Sequence, residues 1–289
     1  MATDSSAPAP KSLLAHGAVA RIFSYFALVA ASLVALVPLW HILVAALAPT
    51  MPAGATSWHW PAHASMDNFV QLATETGFVR WLANSLLVSL AVTLVGVALS
   101  ATAGYALSRF HFFGRLTVLR ALLVTQIFPA TMLLLPIFLV LVKLRLTDTF
   151  FGLILVYLAT ILPFCIWQMK NFYDTIPESL EEAAAMDGCT PGQTFLRVVL
   201  PVSASGLAVT ALFSFAAAWN EYVVAAILLQ DSSLFTLPLG LRMLHTESLH
   251  GQPGIFAAGA LVVTVPVLVL YLALSRFLVA RLRDITLRN

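Results

Sequence analysis

Residues 175–201 read TIPESLEEAAAMDGCTPGQTFLRVVLP, and the organisation of the whole chain follows from how this interval is read. It is the one long, polar, regularly patterned stretch in a sequence that otherwise alternates apolar runs with short connections. Thr175, Pro177 and Glu178 have the form of a capping box: a hydroxyl to accept from the first amides, a proline in the first turn, and a carboxylate three residues after the cap. Leu180 to Met186 are mostly good helix formers, and Gly188 can take the positive φ that ends a helix. Thr190, Pro191 and Gln193 repeat the box, which predicts a second helix from 191 to about 199, stopped by Pro201. The spacing therefore predicts two short helices joined by a sharp bend. A simple tether between apolar runs needs none of this start and stop chemistry, so the unit reads as a docking surface.

Around it, six apolar runs are each near or above the roughly 20 residues a helix needs to cross the hydrocarbon core. They lie at 22–47, 81–108, 118–142, 151–167, 203–229 and 255–279. With 289 residues, 60% hydrophobic and 10% charged, and a mean hydropathy of +0.93, the chain has the composition of an all-α polytopic membrane protein with about six transmembrane helices. The first run is too long for a signal peptide's apolar segment and reads as an uncleaved span. Ahead of it, residues 1–20 are rich in Ala, Ser and Pro and read as a disordered cytoplasmic tail, leaving 21–289 as the membrane domain. Pro129, Pro136, Pro163 and Pro266 fall inside runs and predict bends.

Orientation follows from lysine and arginine. With the amino terminus inside, eleven of them (Lys11, Arg21, Arg109, Arg115, Arg120, Lys170, Arg197, Arg276, Arg281, Arg283 and Arg288) face the cytoplasm, against four outside, Arg80, Lys143, Arg145 and Arg242. Both termini and the 175–201 unit are then expected in the cytoplasm.

Several activities find no support. A phosphate-cradling loop needs closely set glycines followed by Lys and Ser or Thr, and the sequence has no Gly-Lys pair; nor does it have a His-Glu-x-x-His zinc helix or a Gly-x-Ser-x-Gly elbow. No catalytic residue, cofactor or metal is expected in this chain. His59 and His63 are four apart, but Pro61 lies between them and no carboxylates accompany them. The formal charge of +2 is scattered, which argues against a nucleic-acid partner. Cys165 and Cys189 sit in unlike settings and are expected to be thiols.

Glu182-Ala183-Ala184, three residues, Gly188, nine residues, then Val198-Val199-Leu200-Pro201 resembles the EAA loop of ATP-binding-cassette importer permeases, with Val198 in place of the usual isoleucine. Glu-Ala-Ala alone is a common tripeptide; the spaced glycine and Leu-Pro give the resemblance its specificity. The surrounding EEAAAMDGCTPGQTF is similar to the smaller permease subunit of maltose-type carbohydrate importers. Residues 236–241, TLPLGL, are similar to the same family where its outer loop meets the soluble sugar-binding protein. The resemblance implies an ABC type I importer permease fold in a bacterial or archaeal cytoplasmic membrane. It also implies the partners: a second homologous permease, two nucleotide-binding ATPase subunits that bind ATP and Mg, an extracytoplasmic sugar-binding protein, and the lipid bilayer. Glu182, Ala183, Ala184, Asp187, Gly188, Leu200 and Pro201 are the ATPase-coupling residues it implies. A sugar of two or more units is the expected cargo.

Polar groups inside apolar runs are candidates for the translocation path, because they are costly in lipid unless they face a cavity or a partner. These are Asn84, Gln126, Asn220 and Glu221, although amides and hydroxyls also serve as helix-to-helix glue. The competing function class is a self-sufficient secondary transporter or channel. That class usually has two related halves, each with a broken helix or coupling carboxylate, and no such repeat is found.

Overall fold

In the computed structural model the backbone is described for residues 11–49, 60–61, 63–127, 130–247 and 253–286. His59 and residues 1–10 lie outside this description. The described chain is helical: α1 (Lys11–Leu47), α2 (Asp67–Glu75), α3 (Phe78–Arg109), α4 (Arg115–Ile127), α5 (Leu134–Leu144), α6 (Phe150–Tyr173), α7 (Ser179–Met186), α8 (Pro191–Thr194), α9 (Leu200–Val202), α10 (Ala204–Trp219), α11 (Val223–Leu228), α12 (Leu237–Glu247) and α13 (Pro253–Thr286). Helix α1 starts eleven residues before the expected span, at Lys11 rather than Ile22. Leu13, Leu14 and Ala15 are good helix formers, and the long apolar helix after them supplies the nucleus that a short segment lacks.

Among the described residues, four helices are long and apolar enough to cross a membrane alone: Phe23–Leu47 of α1, α3, α6, and Pro253–Ser275 of α13. Pro38, Pro163 and Pro266 lie inside α1, α6 and α13, whereas α3 has none. The other two expected spans are broken. The run at 118–142 divides into α4, a 3-10 turn at Ala130–Leu133 and α5, with Pro136 placed in the first turn of α5, where its missing amide has no bond to lose. The run at 203–229 stops after α10 at Asn220 and restarts as the six residues of α11. Ahead of it, Pro191–Val202 meets α10 at an angle of 76°, so the pair counts as at most one bent fifth span.

Helix α3 is the central member. Gly104 lets it approach α6 closely, since a Cβ there would stand 2.8 Å from the Cβ of Met169. Buried Ser85, Ser89, Thr93 and Ser100 keep much of its packed face small. Three buried clusters lie along its length. Phe78 and Trp81 join Phe215, Trp219, Leu237 and Ile255; Val88 and Val92 join Leu153, Tyr157 and Leu228; Tyr105 joins Met169, Tyr173, Ile176 and Val199. At 1.5 Å per residue its 32 residues extend about 48 Å, enough to traverse the bilayer.

Candidate functional site

The 175–201 interval forms a compact projection, with two departures from the expected local chemistry. Thr175 does not cap α7: its Oγ1 donates to the Phe172 carbonyl at 2.7 Å, and the N-cap position is Glu178, which makes no side-chain capping bond. The turn Thr175-Ile176 closes instead on the end of α6, through backbone bonds to Phe172 and Tyr173. The second box forms as expected, with Gln193 N–H donating to Thr190 Oγ1 and Thr190 N–H donating to Gln193 Oε1. Gly188 has φ +82°, with nothing within 4 Å of where a Cβ would stand, so the requirement for glycine is conformational.

Pro201 does not end the second helix. After α8 the chain widens into a π turn at Phe195–Val199, then continues through α9 with Pro201 inside it. The wider turn makes room beside the ring, which would clash with the carbonyl four residues back in a regular helix. The stop comes at Ser203, whose hydroxyl donates to the Val199 carbonyl at 2.6 Å.

Adjacent residues on α7 face opposite ways. Glu182, Ala183, Asp187 and Gly188 are exposed, and Met186 is 89% exposed, a large apolar side chain standing free at the tip. Ala184 is buried and packs within the chain. Leu200 is half-buried and Pro201 exposed.

Glu181, one residue before the motif, turns inward. Its carboxylate pairs with Arg109 at the end of α3 and accepts from the Tyr105 hydroxyl at 2.7 Å. Arg109 also donates to the Ile176 carbonyl at 2.9 Å, and Ser108 donates to Asp174 at 2.7 Å. Burial pushes the Asp174 carboxyl up, but hydrogen bonds from Lys170 and Ser108, with the charges of Lys170 and Arg109, outweigh that and hold it below the usual carboxylate range. Tyr105 packs against Phe195 of the π turn, ring centroids 4.6 Å apart and the rings tilted by 36°. The projection is thus fastened to the end of α3 by an ion pair, hydrogen bonds and an aromatic contact.

At the opposite end of α3 a second set of bonds holds the segment before α12. Trp81 donates to the Ser232 carbonyl at 3.3 Å, and Asn84 Nδ2 to the carbonyls of Ser233 and Phe235, both at 2.9 Å. Leu237 N–H donates to Ser85 Oγ at 2.7 Å. Residues 236–241, singled out in the sequence, are thereby pinned and mostly buried, and residues 248–252 beyond α12 lie outside the described part.

The four candidate path residues do not converge. Asn84 is engaged as above. Gln126 is exposed on α4. Glu221 caps the helix that restarts after the break: its carboxylate accepts from the N–H groups of Val224 and Ala225 at 2.9 and 3.2 Å, and from the Tyr157 hydroxyl of α6 at 2.9 Å. Asn220 lines a cavity of about 370 Å³, shared with Tyr222, Pro238, Leu241, Arg242 and Phe256. Among the described residues no group of three or more His, Cys, Asp or Glu could hold a metal, and Cys165 and Cys189 are free.

Residues 96–284 match the model of the family described as binding-protein-dependent transport system inner membrane component. The chain belongs to this family. Relatives of this permease include the trehalose transport system permease protein SugB of Mycobacterium tuberculosis, 36% identical over 77% of this chain and 81% of its own. The maltose/maltodextrin transport system permease protein MalG of Vibrio vulnificus is 38% identical over 71% of this chain and 70% of its own. Among solved structures, a bacterial ABC transporter involved in the import of the acidic polysaccharide alginate matches with a TM-score of 0.75 over 94% of this chain and 99% of that one. At 22% identity that likeness concerns the fold, which is that of ABC importer permeases. The resemblance carried by the 175–201 motif holds, and the chain is a multi-pass membrane permease. Sequence reasoning missed the inward role of Glu181 in this permease because its partners, Arg109 and Tyr105, lie 72 and 76 positions away. The one available signal was a second glutamate beside the motif, with a Tyr and an Arg four apart at the end of a long apolar run.

Proposed function

We propose that this permease imports a carbohydrate of two or more units, driven by ATP hydrolysis in two separate nucleotide-binding subunits, one of which grips the 175–201 projection. A second homologous permease completes the pore, and an extracytoplasmic binding protein delivers the sugar. Both termini and the projection face the cytoplasm. The observation that carries this reading is the outward face of α7, where Glu182, Ala183 and the bare Met186 surround a glycine-controlled bend. An exposed methionine next to a carboxylate suits a cleft with apolar walls and a cation at its rim. The names of the relatives favour sugar as cargo, and Asn220 is the path residue that the 370 Å³ cavity supports best. The test is sugar uptake into proteoliposomes by the permease reconstituted with its partners. Uptake is expected only with the ATPase subunits and Mg-ATP present. Uptake by the permeases alone down an ion gradient contradicts the proposal. Reporter fusions at residue 289 and beside Cys189 test the orientation, and an extracytoplasmic signal at either overturns it.

A further inference from the structure

We propose that α3 is a rigid strut that ties the ATPase-facing projection to the outer segment 232–237, so that the two move as one body through the transport cycle. The inference rests on the docking reading above and adds the route by which docking is felt on the far side of the membrane. Two observations carry it. The first is that α3 is fastened by side-chain bonds at both ends and to different things. Arg109, Tyr105 and Ser108 hold Glu181, Ile176 and Asp174 at one end, and Trp81, Asn84 and Ser85 hold Ser232, Ser233, Phe235 and Leu237 at the other. The second is that α3 is the one of the four long helices without an internal proline, so every turn between those anchors keeps its backbone bonds. Trp81 and Arg109 are 28 residues apart, about 42 Å at helical rise. Such a continuous, doubly anchored element transmits displacement with little loss, whereas α10 beside it is interrupted at Asn220 and cannot.

Arg109 and Asn84 are therefore positioning residues: neither has to touch the cargo to act. Pulsed electron spin resonance on the assembled complex tests this directly. One label sits on the native Cys189 of the projection, which is half-exposed while Cys165 is buried, and the other on Ser232→Cys at the outer end. Between the nucleotide-free complex and the complex trapped with Mg-ATP and vanadate, the distance is expected to stay within about 2 Å, the size of shift that a packed interface absorbs. Arg109→Gln is expected to broaden the distribution and let the distance change between the two states; Arg109→Glu combined with Glu181→Arg is expected to restore the narrow one. A wild-type distance that changes by much more than that between states overturns the strut, and so does an Arg109→Gln complex whose distribution stays narrow in both. The docking reading has its own readout in the same samples. If adding the ATPase subunits leaves the Cys189 label as mobile as before, docking fails, while the width of the distance distribution in wild type against Arg109→Gln, measured on the permeases without ATPase, still judges the strut.

Discussion

Helices α3 and α10 cross the same core, yet one is whole and the other is broken. Helix α3 runs 32 residues without a proline and is bonded at both ends, whereas α10 ends after 16 residues, bends 76° from the turns before it, and gives way at Asn220 to a separate short helix. The difference is chemical before it is architectural. The polar groups of α3 are mostly Ser and Thr, such as Thr93, Ser100 and Thr102, whose hydroxyls return to carbonyls of their own helix and leave its ladder intact. The polar groups at the break are Asn220 and Glu221, and Glu221 takes two main-chain amides for itself, which a continuous helix would not leave free. One helix keeps its length and the other changes direction.

The largest effect expected from attacking this contrast comes from breaking the unbroken helix. Leu94→Pro, on the exposed face of α3, removes an amide bond and adds a clash worth about 3 kcal/mol or more. Uptake by the reconstituted complex should be abolished although the protein still inserts. Full uptake by that variant would mean that straightness in α3 is irrelevant.

A smaller effect is expected at the break. Glu221→Ala takes the cap from α11 and leaves the Tyr157 hydroxyl without its carboxylate, a loss of about 1–3 kcal/mol, while Tyr157→Phe removes a single hydrogen bond, about 1 kcal/mol. Hydrogen exchange should therefore accelerate at 223–228 in both, more in the first. Equal exchange in the two variants would show that the carboxylate does not hold the restart.

The smallest effect concerns the exposed Lys170–Asp174 pair, where Lys170→Ala should cost only about 0.3–0.5 kcal/mol. Because the folded Asp174 carboxyl is held below its ordinary value, the stability it contributes is present above the ordinary carboxylate range and is lost as the pH falls through the folded value. Melting temperatures of wild type and Asp174→Asn should run parallel from pH 5 to 8 and converge only at acid pH, about 4 and below. Convergence at neutral pH would contradict the assigned cause.

How much of this was legible in the sequence depended on how local the governing interaction is. The box at Thr190 and Gln193 and the bend at Gly188 are settled within four residues, and both form as the spacing predicts. The similar box at Thr175 does not form, because that turn closes against the end of α6, which a local pattern does not contain. The break after Trp219 was hidden by the apolar residues that continue through 223–229, a run whose composition says nothing of where its carbonyls and amides are paired. The division of labour between Glu181 and Glu182 was equally hidden, since the two are alike in sequence and differ only in what α3 presents to one of them.

Recovering the complex through this chain, and measuring the bound ATPase and the uptake it supports, tests whether the outward face of α7 is where a partner ATPase subunit takes hold. Glu182→Lys reverses a charge on the exposed face, and Gly188→Val places a side chain on a backbone with φ +82°, while neither disturbs the Arg109–Glu181 fastening. With insertion unchanged, both variants are predicted to lose uptake, either with the ATPase missing from the recovered complex or with hydrolysis that moves no sugar. Normal uptake by both variants with their partners bound would contradict the account.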